Sequence, residues 1–262
     1  MLSDFAEYRL LVFGVLLLVV LWMAPEGMVG LLARLRRHDP RPARAGGADM
    51  AALLRPDDAA PLKVEQIGIS FGGVKAASGV SFTAQPGAVT SVIGPNGAGK
   101  TTVLNMIGGF YTPDAGAIRL GEGENLAGAP AYKVARAGIA RTYQTTQLFG
   151  SLSVIENVRI AGADAAAAEA LLAFVGYQGP LAARADDLPH VDRRLVEIAR
   201  ALATQPRVLL LDEPAAGLMR ADKDTLSLLL RRIAELGLVV ILVEHDMAMV
   251  MGISDHAVVL DA

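Results

Sequence analysis

Cysteine is absent from the 262 residues. That excludes a disulfide scaffold, a thiolate zinc site and a cysteine nucleophile. Aromatic residues make up only 5% of the chain and charged residues 19%. The 24 Lys and Arg do not exceed the 27 Asp and Glu, and the formal net charge is −3. A general nucleic-acid binder needs a basic excess, so no nucleic-acid partner is expected. What the chain has instead is apolar surface: 53% hydrophobic residues and a mean hydropathy of +0.41. The length allows one large domain, or one domain plus an appendage, with ample material for a core.

The hydrophobicity is unevenly spread. Residues 10–24 (LLVFGVLLLVVLWMA) run fifteen positions without a charge. As a helix that run is about 22 Å long, short of a hydrocarbon core of about 30 Å. Adding residues 5–9 makes up the difference, with Glu7 and Arg9 snorkelling and Tyr8 and Trp22 near the two ends. Pro25-Glu26-Gly27 breaks the run. Arg34, Arg36, Arg37, Arg41 and Arg44 follow it, whereas Asp4 and Glu7 precede it, which places the C-terminal side in the cytoplasm. Residues 1–32 therefore read as one transmembrane helix. A buried core helix is the competing reading for a run of this length. Acidic leading residues disfavour a signal peptide, and the lack of a polar face disfavours an interfacial helix. Residues 33–61 are rich in Arg, Pro, Ala, Gly and Asp without an apolar period, and read as a linker with one short helix around residues 49–54.

From residue 62 the texture changes. LKVEQIGISF and VSFTAQ carry strand character, and AVTSVIG is a buried strand that runs into GPNGAGKTT. Residues 94–101 match G-x-x-x-x-G-K-[ST] between a strand and a helical pattern, the context a phosphate-binding loop needs. Gly94, Pro95, Asn96, Gly97, Ala98, Gly99, Lys100, Thr101 and Thr102 are thus candidate ATP contacts. The loop amides and the helix start supply positive potential; Lys100 reaches the phosphates and Thr101 holds Mg²⁺. A second apolar strand, RVLLLDEP, ends in Asp212 on the Mg²⁺ side, with Glu213 beside it to polarise a water. A third, LVVILVEHD, ends at His245, a candidate γ-phosphate contact. His38 and His256 read as surface residues.

The order of these motifs resembles an ABC-transporter ATPase from residue 62 to the C-terminus. GPNGAGKTT, GIARTYQ, EIARALATQP, LLLDEPAAGL and VEHDMAMVMGISD resemble the ATPase subunit of importers for branched-chain amino acids or related amides. YRLLVFGVLLLVV followed by PEG resembles the last transmembrane helix of a permease subunit of the same systems. The resemblance implies an α/β fold: a parallel-sheet core, an antiparallel β subdomain and a short helical subdomain over about 146–187. It gives Phe71 the role of stacking on adenine, and Gln144 that of touching Mg²⁺ and the attacking water, with Leu148 and Phe149 near a permease. It implies ATP and Mg²⁺ as cofactors, permease subunits, a second ATPase subunit and, indirectly, a solute-binding protein as partners, and a site at the inner membrane.

Four features depart from the family. Where its signature reads Leu-Ser-x-Gly-Gln, this chain has Leu188, Pro189, His190, Val191 and Asp192. Pro189 lacks both hydroxyl and N–H, Val191 adds bulk and Asp192 adds negative charge. Met219-Arg220 follows AAGL where the family has a polar residue and proline. Only 43 residues separate Gln144 from Leu188, and the stretch is Ala-rich, so a trimmed helical region is expected. VVLDA ends the sequence just after a strand, which reads as a truncated or divergent copy. Two functions follow: an ATPase that needs an ordinary partner subunit to form a heterodimer, or a module that binds ATP without turning it over. Tandem ATPases would need a second P-loop, repair ATPases long heptad arms, and a GTPase an N-K-x-D motif; none is present.

Overall fold

The computed structural model describes Gly14 and residues 50–54, 56 and 58–261. The chain divides into the units Met1–Arg41 and Pro42–Ala262. The apolar run over residues 10–24 lies, Gly14 apart, outside the described residues. Among the described residues no helix is long and apolar enough to cross a membrane. The transmembrane helix expected over 1–32 therefore gains no support from the fold.

The second unit is built on two sheets. Strands β3 (Val89–Ile93), β5 (Ile139–Arg141), β6 (Val208–Asp212), β7 (Val239–Val243) and β8 (His256–Val259) form a sheet in the order β5-β6-β7-β3-β8, all parallel. VLLLD and VVILV are buried at every position, as strands covered on both faces require. Strands β1 (Leu62–Phe71), β2 (Val74–Ala84) and β4 (Ala115–Leu120) form an antiparallel sheet in the order β2-β1-β4. The ladder slips after Val64 and Glu65, where Gln66 takes φ 51 and ties its amide to Ser81 Oγ at 2.8 Å.

Helices cover the parallel sheet. α1 (Met50–Leu54) comes from the stretch read as a linker. Its Leu54 is 2% exposed within the core that also holds Ala168, Leu171 and Leu172. The end of the linker is thus fixed to the ATPase body, and Asp58 adds an ion pair to Arg207. α2 (Lys100–Ile107) and α3 (Ala131–Arg136) flank β4 in sequence. The region over 146–187 holds only α4 (Val154–Arg159), α5 (Ala165–Phe174) and a 3₁₀ turn, Ala185–Asp187. Ser153 and Glu156 form a capping box on α4, and Asp164 caps α5 through the Ala167 amide at 2.8 Å. α5 buries Ala168, Ala170, Leu171, Leu172, Ala173 and Phe174, so its alanines are packing residues.

Three further helices complete the unit: α6 (His190–Leu202), α7 (Arg220–Glu235) and α8 (Met247–Ile253). On α7 the buried Leu226, Leu229, Leu230 and Ile233 repeat at helical spacing and make one apolar stripe. The C-terminal ends of β3, β5, β6 and β7 lie side by side, the place where open α/β sheets bind ligands.

Candidate functional site

The loop after β3 is shaped by close backbone approach. Gly99 sits at φ 85, where a Cβ would lie 2.1 Å from the Ala76 carbonyl oxygen. Gly94 meets the Leu260 carbonyl in the same way, at 2.3 Å. Side chains are excluded at both, which lets the loop curl into a ring of amides. Pro95, Asn96, Gly97 and Thr101 are exposed on its rim, whereas Ala98 and Lys100 are buried. Lys100 Nζ donates to the Gly94 and Pro95 carbonyls at 2.9 and 2.8 Å, so the ammonium lies folded over the loop with one donor to spare.

Thr101 Oγ1 donates to Asp212 Oδ1 across 3.2 Å. Asp212 is buried at the end of β6, and its other oxygen accepts from Arg141 at 2.9 Å. Arg141 is itself buried, bonded to Asn105 Oδ1 at 2.5 Å and placed over the rings of Phe110 and Tyr143. The two donors Thr101 Oγ1 and Asp212 Oδ1 are hard oxygens at a spacing close to the about 3.0 Å between adjacent corners of a Mg²⁺ octahedron. The residues therefore fit Mg²⁺.

Glu213, Gln144 and His245 converge. Glu213 adopts φ 45, a strained value for a non-glycine residue. Its amide is fixed by the Val243 carbonyl at 2.9 Å, and its Oε2 accepts from Gln144 Nε2 at 2.8 Å. His245 Nδ1 lies 3.8 Å from the same oxygen. Gln144 thus has its amide nitrogen on Glu213 rather than on the Thr101–Asp212 pair. Phe71 is half exposed at the end of β1, edge-on to Tyr111 with ring centroids 5.2 Å apart.

Sequence reasoning missed Arg141, Asn105 and Glu244. Arg141 was visible only as part of the RTYQ phrase. Glu244 is 2% exposed; it accepts from the Ala215 amide at 2.8 Å and from its neighbour His245 at 3.2 Å, so it joins the segment after Glu213 to the histidine. An acid between an apolar strand and a histidine was the available signal.

The divergent segments sit at helix starts. Pro189 is the N-cap of α6 and Met219 the N-cap of α7, and neither gives the helix a side-chain cap. Pro189 and His190 are exposed. Asp192, in the first turn of α6, is buried at 8% exposure.

A family model described as ABC transporter matches residues 77–216. A high-affinity branched-chain amino acid transport ATP-binding protein of Pseudomonas aeruginosa, BraF, is 38% identical over 226 residues, 76% of this chain and 88% of that protein. LivG of Escherichia coli, with the same description, is 39% identical over 227 residues at the same coverage. The chain belongs to the ABC transporter family. Among solved structures, the ADP conformation of an ATP-binding cassette of an ABC transporter superposes with a TM-score of 0.70 and 29% identity, over 77% of this chain and 87% of that one. The protein is thus an ABC ATPase with a parallel-sheet core and an antiparallel subdomain.

Proposed function

We propose that this chain is the ATP-hydrolysing subunit that powers import of branched-chain amino acids, or related small amino-acid or amide solutes, across the cytoplasmic membrane. The substrate class follows the printed descriptions of its relatives. The observation that carries the hydrolytic part is the meeting of Glu213, Gln144 and His245 beside the phosphate loop. Glu213 accepts a proton from the attacking water, Gln144 orients it, and His245 contacts the γ-phosphate. Phe71 stacks on adenine, while the amides of the loop and Lys100 hold the phosphates. Thr101 and Asp212 would hold Mg²⁺, which neutralises phosphate charge when bound, with the side-chain carbonyl of Gln144 as a further donor. The partners are permease subunits, a second ATPase subunit and, indirectly, a solute-binding protein. Residues 1–32 act as a permease-like membrane helix that holds the ATPase at the inner face of the membrane, with 33–61 as linker and 62–262 as the ATPase domain.

In a dimer of two such ATPase subunits, each site pairs one chain's P-loop with the other's signature. With LPHVD in place of a signature, a homodimer has two defective sites and a heterodimer one sound site. A second reading, ATP binding without turnover, is favoured by the uncapped starts of α6 and α7. The test is ATP turnover by the chain alone and mixed with a relative that carries an intact signature. Turnover only in the mixture supports the heterodimer. Robust cooperative turnover by the chain alone sinks it, and binding without turnover in both favours the second reading.

A further inference from the structure

Helix α6 carries an ion pair that the ATP site does not use directly. Arg194 and Glu197 are 1% and 2% exposed at the side chain and 2.7 Å apart. Taking both charges out of water costs several kcal/mol per ion, and apolar residues of the same size often pack as well or better. The Arg194 Nε finds no acceptor, which adds to the cost. The destination of the remaining polar atoms explains the pair. Arg194 donates to the carbonyls of Tyr143 and Gln144, at 2.6 and 2.8 Å. Glu197 Oε1 accepts from the amides of Tyr143 and Gln147, at 3.4 and 3.2 Å. One turn further on, Arg200 donates to the Gln147 carbonyl and lies over the Phe149 ring, 5.6 Å from its centroid.

Residues 194, 197 and 200 repeat every third position, so they form one stripe along the helix. The stripe grips a loop with no regular structure of its own over 143–147. Gln144 is exposed, yet its side chain reaches Glu213 and its backbone carbonyl is held by Arg194.

We propose that Arg194 and Glu197 are positioning residues for ATP hydrolysis, fixing the backbone of residues 143–147 and through it the Gln144 amide against Glu213. The proposal rests on the hydrolytic reading above. It also gives α6 a role in the chain's own site, separate from any signature contact its first turn makes with a partner's nucleotide.

The test compares Glu197→Gln and Arg194→Lys with Leu202→Ala, a fully buried residue of the same helix outside the stripe, in the full chain assembled with its partner subunits. Glu197→Gln and Arg194→Lys should lower kcat about tenfold or more, because small misplacements of an orienting group are costly. KM for ATP should stay within about twofold, since the groups act on the chemical step rather than on binding. Amide exchange over 143–147 should quicken in both. Leu202→Ala should lower the melting temperature yet keep kcat below it. Arg194→Lys preserves the charge and covers the case in which Glu197→Gln fails to fold. An unchanged kcat in both variants, or a rise in KM that accounts for the whole loss, overturns the proposal. A wild-type complex without turnover sinks the hydrolytic reading, and the proposal with it.

Discussion

The ends of β3, β6 and β7 and the starts of α6 and α7 are built differently. At the strand ends each polar group has a placed partner: Lys100 on two loop carbonyls, Thr101 on Asp212, Asp212 on Arg141, Glu213 on Gln144. At the helix starts Pro189 and Met219 stand at N-caps and offer no side-chain oxygen. Ser153, Asp164 and Asp246 show that other helices of this chain are capped in the ordinary way. In the proposed dimer, the half of the site used in cis is then assembled, whereas the half offered to a partner has neither a hydroxyl nor a glycine at these positions, nor a side-chain cap. Helix α6 belongs to both halves, since its first turn is divergent and its next two turns hold residues 143–147.

The comparison breaks most sharply at Glu213. Glu213→Gln keeps the Gln144 contact feasible and removes the proton acceptor, so turnover of the mixed dimer should fall by about 10²–10⁴-fold while ATP binding persists. Turnover that survives the change would remove Glu213 from the role of base and leave the strand-end half no better assembled than the other. The next largest effect concerns the other half. Pro189→Ser, Val191→Gly and Asp192→Gln together restore the signature, and should raise turnover of the isolated chain by about tenfold or more, the order expected when donors to a phosphate are regained. No gain would mean that the defect lies elsewhere, with Met219-Arg220 the next segment to restore.

The strand-end half was legible because its residues are contiguous or stand at the ends of apolar strands. GPNGAGKTT is eight consecutive motif positions plus one, and Asp212, Glu213 and His245 each terminate a run that only a buried strand explains. What escaped is long-range. Arg141 reaches Asp212 from 71 residues away, and Arg194 reaches Tyr143 from 51. No spacing rule connects such pairs. β5 is three residues long, too short for a period to show, and β4 reads AGAIRL, with a single β-branched residue. The burial of Asp192 was likewise not legible from its place in a motif, because only the fold shows which side of the first turn of α6 packs inward.

A smaller effect tests the caps. Met219→Asp places an acceptor at the N-cap of α7, where the amides of the first turn lack one. It should raise stability by about 0.5–2 kcal/mol in a denaturant melt. Exchanging one capping residue for another at an already capped start, Asp164→Asn on α5, should move stability far less. Equal shifts would show that Met219 is no deficit.

The smallest effect contrasts two carboxyls by pH. Asp255 accepts from the Val89 amide at 2.8 Å, at the start of the strand that delivers the phosphate loop, and pairs with Arg231. Arg231, the Val89 amide and neighbouring His256 hold its carboxyl below its ordinary 3.8. A depressed carboxyl stabilises the fold above its unfolded value and loses that contribution as the pH falls. Asp255→Asn should therefore lower the melting temperature at neutral pH, with the gap to wild type closing only below about pH 3.8. Glu197 has the opposite sign. Burial, opposed by Arg194, Arg200 and the amides of Tyr143 and Gln147, pushes it above 4.5. A raised carboxyl opposes folding as the pH climbs past its unfolded value, so Glu197→Gln should compare best with wild type at neutral pH and worst in acid. Melts of both variants across the acid range should diverge in opposite directions. Parallel curves would mean that the paired Asp255 and the buried Glu197 do not differ in the sign of their effect on stability.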